Sequence, residues 1–182
     1  MALAVSLRFD SGVADAVSVN WGRLAEAGIS CSMLDLGYPP HVTLCVYEQL
    51  KVDTAIAACD RVFEAANQIA VTLTNITTFA AGSGACYLAL AVSPDLMRLH
   101  ARTIAALGEG CHPHYRAGSW IPHCTLATGV ADVDIGRAIT ILERQWQPLT
   151  GVFEAAELVR FTPVVGMKRW ALSATRSSTR TP

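Results

Sequence analysis

No apolar stretch in this sequence approaches the roughly 20 residues a helix needs to cross a bilayer, so no membrane-spanning role is expected. The opening residues, Met1-Ala-Leu-Ala-Val-Ser-Leu-Arg-Phe9, lack the basic n-region and long h-region of a secretory signal. They alternate like a strand, and a cytoplasmic location is the default. A basic surplus is missing too: Lys and Arg number 14 against 15 Asp and Glu, a net charge of -1. Proteins that grip long nucleic acid usually carry such a surplus, because phosphate neutralisation supplies most of that affinity. A long duplex is therefore not an expected partner, and a phosphate-bearing substrate would be a nucleotide or an RNA end. CxxC pairs are also absent. Cys31, Cys45, Cys59, Cys86, Cys111 and Cys124 are scattered and read as reduced thiols, mostly small buried hydrophobes.

What is present is a globular composition, 52% hydrophobic and 16% charged over 182 residues. That length suits one domain, or two small lobes sharing a core. Ala2 to Phe9 reads as a strand, and Asp10 or Ser11 caps a helix with Val13, Val17, Trp21 and Leu24 at helical spacing, stopped by Gly28. A Gly/Pro loop leads to a strand from His41 to Tyr47. Asp53 is expected to cap a second helix burying Ile56, Cys59, Phe63 and Ala66. Strands follow over 69–80 and 86–92, with the turn Ala81-Gly-Ser-Gly between them. The second half repeats the order. Ser93 and Pro94 open a helix to Gly108, a strand runs from His123 to Thr128, and a helix from about Asp134 to Trp146. Strands over 152–161 and 169–174 close the chain, and residues 175–182 read as a frayed tail. The expected architecture is α+β and bilobal, with two antiparallel sheets meeting at a central cleft and helices outside.

Two tetrapeptides carry the functional reading: His41-Val-Thr-Leu44 and His123-Cys-Thr-Leu126, 82 residues apart and each preceded by a proline, Pro40 or Pro122. With five His, 15 Thr and 18 Leu, His-x-Thr-Leu should arise by chance about 0.04 times, so two copies are signal. Proline is tolerated at strand starts, which puts both histidines at a rim or cleft. Residues i and i+2 of a strand share a face. His41 and Thr43 therefore face together while Val42, Leu44 and Val46 face away; His123 and Thr125 share their face with Ala127, against Cys124 and Leu126. Two facing imidazoles can run phosphoryl transfer without a metal, one taking a proton from water and the other giving one to the leaving alkoxide. Each threonine hydroxyl can donate to a non-bridging phosphate oxygen.

These paired Pro-His-x-Thr-Leu elements resemble the signature of the 2H phosphoesterase superfamily, which includes bacterial RNA 2′,3′-cyclic phosphodiesterases, often called 2′-5′ RNA ligases. The strand at Leu3 to Phe9, the closing Glu157-Leu-Val-Arg-Phe161 and Arg169-Trp-Ala-Leu172 are similar to that family as well. The resemblance implies a bilobal, pseudo-two-fold fold, catalysis by His41 and His123 with Thr43 and Thr125 on the phosphate, and no cofactor or metal. It also implies opening of a 2′,3′-cyclic phosphate, with reversible 2′-5′ ligation as a related activity. One departure is that Ala127 and Thr128 follow the second motif, where many RNA-end members carry a basic residue.

Around the motifs, Tyr38, Tyr47, Tyr115 and Trp120 are candidates for stacking a base. Cys111-His-Pro-His114, with His123 and Cys124 nearby, offers zinc-type donors. Two readings thus stand beside the phosphodiesterase: a nucleotide-binding module with little turnover, and a zinc-dependent hydrolase centred on Cys111 to Cys124. The expected partner is a small nucleotide or an RNA 3′ end carrying a cyclic phosphate, handled by a monomer.

Overall fold

The computed structural model describes residues 2–79 and 82–174; the expected tail over 175–182 lies outside them. The strands are β1 (Ala2–Phe9), β2 (His41–Tyr47), β3 (Ile69–Thr78), β4 (Cys86–Leu90), β5 (His123–Ala127), β6 (Leu149–Phe161) and β7 (Val165–Ala171). The helices are α1 (Ser11–Glu26), α2 (Ser32–Asp35), α3 (Val52–Phe63), α4 (Pro94–Leu107) and α5 (Asp132–Glu143), with a 3-10 turn at Pro113–Tyr115. The mixed α+β reading holds. Among the described residues no helix is long and apolar enough to cross a membrane.

The two expected sheets are joined into one antiparallel sheet of seven strands, in the order β2-β1-β6-β3-β4-β5, with β7 also paired to β6. The joint is β6, which at 13 residues is long enough to serve both ends. Its first part, Leu149 to Phe153, pairs with β3, and Ala155 to Arg160 pairs with β7 along the same edge. β1 runs along its other edge. β2 and β5, which carry the two motifs, become the two end strands of this order.

Capping chemistry accounts for two helix starts. Asp10 Oδ1 accepts the Val13 N–H at 3.1 Å and Ser93 Oγ accepts the Leu96 N–H at 3.2 Å. Asp10 also takes the Val152 N–H of β6 through Oδ2 at 2.6 Å, which brings the carboxylate against Gly151. A Cβ there would stand 2.2 Å from Oδ2, so this position requires glycine. Asp53 is not a cap: α3 starts at Val52 behind Lys51, and Asp53 sits in the first turn, where its charge favours the helix dipole. The helices pack in mixed pairs. α1 lies with α5, and α3 with α4, so each pair takes one helix from each half of the chain.

Candidate active site

The strand periodicity needs one correction, and it shapes the site. The pairing of β1 with β2 skips Leu44: Val5 lies opposite Cys45 and Ser6 opposite Thr43. In the same way β4 skips Leu126, with Cys86 opposite Ala127 and Tyr87 opposite Thr125. Each motif therefore contains a bulge just after its threonine. An extra residue on one strand turns every later side chain to the other face. Val46, expected to face away, lines the cleft, and Ala127, expected on the His/Thr face, is buried in the core. Thr128 takes its place in the cleft wall.

His41, Thr43, His123 and Thr125 line one cavity of about 350 Å³, together with Ser6, Tyr38, Val46, Tyr115 and Thr128. α2 supplies Met33 and Ser32, and β6 supplies Val159 and Phe161. The two imidazoles are held alike. His41 Nδ1 lies 2.8 Å from the Pro39 carbonyl and His123 Nδ1 lies 2.7 Å from the Ile121 carbonyl. A carbonyl only accepts, so each Nδ1 carries its hydrogen and donates. That leaves Nε2 of each ring as the nitrogen free to take or give a proton. Burial pushes the His41 pKa down to about 4, with the charges of Arg8 and His123 adding to the fall and the Pro39 carbonyl and Glu157 opposing it. Burial also lowers the His123 pKa, against the pull of the Ile121 carbonyl. Both rings are therefore neutral near pH 7.

The flanking aromatics divide. Tyr38 packs its ring against His41, 4.6 Å between centroids, but its hydroxyl donates to Glu157 Oε2 at 2.7 Å. Burial and that carboxylate raise its pKa. Tyr115 lines both the motif cavity and a neighbouring one of about 440 Å³, which also borders His123, Phe79 and Ile121. Trp120 edges the second cavity, but its indole is buried and stacked on His100 at 4.0 Å. Tyr47 does not reach the cleft. It follows the bulge onto the core face, is 3% exposed, and donates its hydroxyl to the Gly108 carbonyl at 2.9 Å.

Two groups of neighbours lie outside the sequence-based expectation. Arg8 lies opposite His41 in the β1–β2 ladder and pairs with Glu157 at 2.9 Å, its guanidinium 5.0 Å from the Tyr38 ring centroid. The signal for it is Ser6 and Arg8, polar residues at alternate positions in an otherwise apolar strand. Phe79 and Tyr87 meet the His123 ring at 4.9 and 5.3 Å, both edge-on. Nothing in the sequence ties either to the second motif.

The family model of the 2′-5′ RNA ligase superfamily matches residues 18–163. The chain belongs to that superfamily. Its fold is similar to TT0787 of Thermus thermophilus, with a TM-score of 0.65 at 16% identity over 96% of this chain and 99% of that one. It is also similar to E. coli LigT complexed with NADP+, with a TM-score of 0.61 at 14% identity over 95% and 98%. The MHV ns2 PDE domain aligns with a TM-score of 0.52 at 16% identity over 94% and 100%. No curated protein matches the chain in sequence. At these identities the structural likeness is one of fold, and superfamily membership supports an enzyme of the phosphodiesterase or ligase-like kind.

Proposed function

We propose that this protein is a metal-independent phosphodiesterase that opens the 2′,3′-cyclic phosphate of a nucleotide or an RNA end. The observation that carries the reading is the matched pair of imidazoles in one cavity, each with Nδ1 fixed on a carbonyl and Nε2 free. One neutral Nε2 takes a proton from water as the oxygen attacks phosphorus. The ring opens at a P–O bond, and Nε2–H of the other imidazolium protonates the departing ribose oxygen. Thr43 and Thr125 donate to the non-bridging oxygens, where charge builds. An anion in the cleft raises the affinity of a neutral imidazole for a proton, so substrate binding itself charges the acid.

The nucleoside has a place beside this centre. Tyr115, Phe79 and Ile121 form an apolar shelf continuous with His123, suited to stacking a base without reading its edge. The solved LigT complexes with NADP+ and 3′-AMP are consistent with a small nucleotide ligand. The zinc reading gains no support from the geometry: Cys124 packs into the core, and among the described residues no three His, Cys, Asp or Glu side chains gather as a donor set.

The test is hydrolysis of 2′,3′-cyclic nucleotides with and without EDTA, beside His41→Ala and His123→Ala. Hydrolysis should resist EDTA and fall about 10²–10⁴-fold in each variant. Binding without turnover in the unaltered protein would favour a nucleotide-binding module, and EDTA-sensitive turnover a metal enzyme.

A further inference from the structure

Beyond the ladders, four bonds among the described residues tie the motif strands and the residues just after them to segments that precede the opposite motif. Trp120 Nε1 donates to the Thr43 carbonyl at 2.9 Å, and Trp21 Nε1 donates to the Thr125 carbonyl at 3.1 Å. The His112 N–H donates to the Val46 carbonyl at 2.9 Å, and the Thr128 N–H donates to Ser32 Oγ at 3.0 Å. Trp21 and Ser32 precede the first motif and hold the second. His112 and Trp120 precede the second motif and hold the first.

The arrangement answers a mechanical need. β2 and β5 end the strand order, so a ladder supports each from one side only. Both are further loosened by a bulge next to the threonine. A threonine that must meet a phosphate oxygen within a few tenths of an ångström needs another anchor, since misplacement of that order is costly in rate. The indole N–H groups bond the main chain of those two threonines. Both indoles are buried, at 5% and 7% exposed. Trp120 is fixed in turn by His100, whose ring lies parallel to it at 6° and whose Nε2 donates to the Tyr115 carbonyl at 2.9 Å.

We infer that Trp21 and Trp120 are positioning residues, each setting the phosphate-binding threonine of the opposite motif through its main-chain carbonyl. The inference rests on the two-histidine reading for its choice of assay. Trp120→Phe removes the N–H and should lower kcat/KM for a 2′,3′-cyclic nucleotide about tenfold, mainly in kcat. In a Thr43→Val background the same change should cost less than about twofold, because the hydroxyl that the bond positions is already gone, while in Thr125→Val the full loss should persist. Trp21→Phe should show the mirror image, coupled to Thr125 and independent of Thr43. Equal losses in both backgrounds, or coupling of Trp21 to Thr43, would overturn the assignment.

Benzothienylalanine at either tryptophan keeps the indole's shape and lacks its N–H, so it gives the same readout if phenylalanine unfolds the chain. If the unaltered protein turns over no cyclic nucleotide, the functional reading fails and the cycle is read as Kd for inorganic phosphate. The same crossed coupling in Kd upholds the inference, and additive losses sink it.

Discussion

The two sides of the cleft share a backbone and differ in their surroundings. On the first side His41 sits against Tyr38 and across from Arg8, with Glu157 bonded to both and to Arg169 at 3.1 Å. On the second side His123 is met edge-on by Phe79 and Tyr87. The backbone repeats the bulge, the Nδ1 anchor and the crossed indole; the charge does not repeat. Repeated geometry thus presents two imidazoles in the same way, and unequal electrostatics make them inequivalent. On the proposed mechanism, an imidazole beside an ion-pair network and one in an aromatic wall would hold a proton unequally, which is what a division into acid and base needs.

Breaking the network tests this most strongly. Arg8→Met removes a cation that holds the His41 pKa down, so the His41 ring should titrate at higher pH while His123 stays put. Ring resonances followed by NMR across pH 3 to 8 would show it, and a matching shift at His123 would deny the asymmetry. Arg8 and Glu157 are 12% and 13% exposed in their side chains. Removing one partner of such a pair costs about 3 kcal/mol, softened here because Glu157 keeps Arg169 and Tyr38.

A smaller effect follows from burial of His41. Its pKa is about 4 in the folded chain and about 6.5 when unfolded. Unfolding therefore takes up a proton anywhere between those values. The stability this group contributes is complete above about pH 6.5 and is lost as pH falls toward 4. Thermal unfolding at pH 7, 5.5 and 4.5 should show Tm dropping, and His41→Gln should flatten part of that slope. An unchanged slope in the variant would mean that other groups carry the acid sensitivity.

Local patterns in the sequence are enough to find both motif strands, the Ser93-Pro94 helix start and the sharing of one face by His41 and Thr43. Each depends on neighbours within a few residues. What escapes depends on partners far away. A bulge is defined by the strand opposite, so the reversal at Val46 and Ala127 has no mark in either tetrapeptide. The Arg8–Glu157 pair spans 149 residues, and the two indole bonds span 104 and 77. The joining of two expected sheets into one turns on the length of β6, which starts at Leu149 rather than at Val152 as its local pattern suggests. Tyr47 departs from expectation for the same reason as Val46: it follows the bulge.

The smallest effect separates the ring of Tyr38 from its hydroxyl. The ring packs on His41 and under Arg8, whereas the hydroxyl bonds Glu157. Tyr38→Phe keeps the contact with the imidazole and deletes one hydrogen bond to a carboxylate that retains Arg8 and Arg169. Such a bond contributes about 1–2 kcal/mol, so denaturant unfolding should show a loss of that size. kcat/KM should stay within about threefold, because nothing that touches the phosphate has moved. A tenfold fall in kcat with normal stability would mean that the hydroxyl turns from Glu157 to the substrate during the reaction. The first side of the cleft would then contribute a donor of its own, drawn from its ion-pair network.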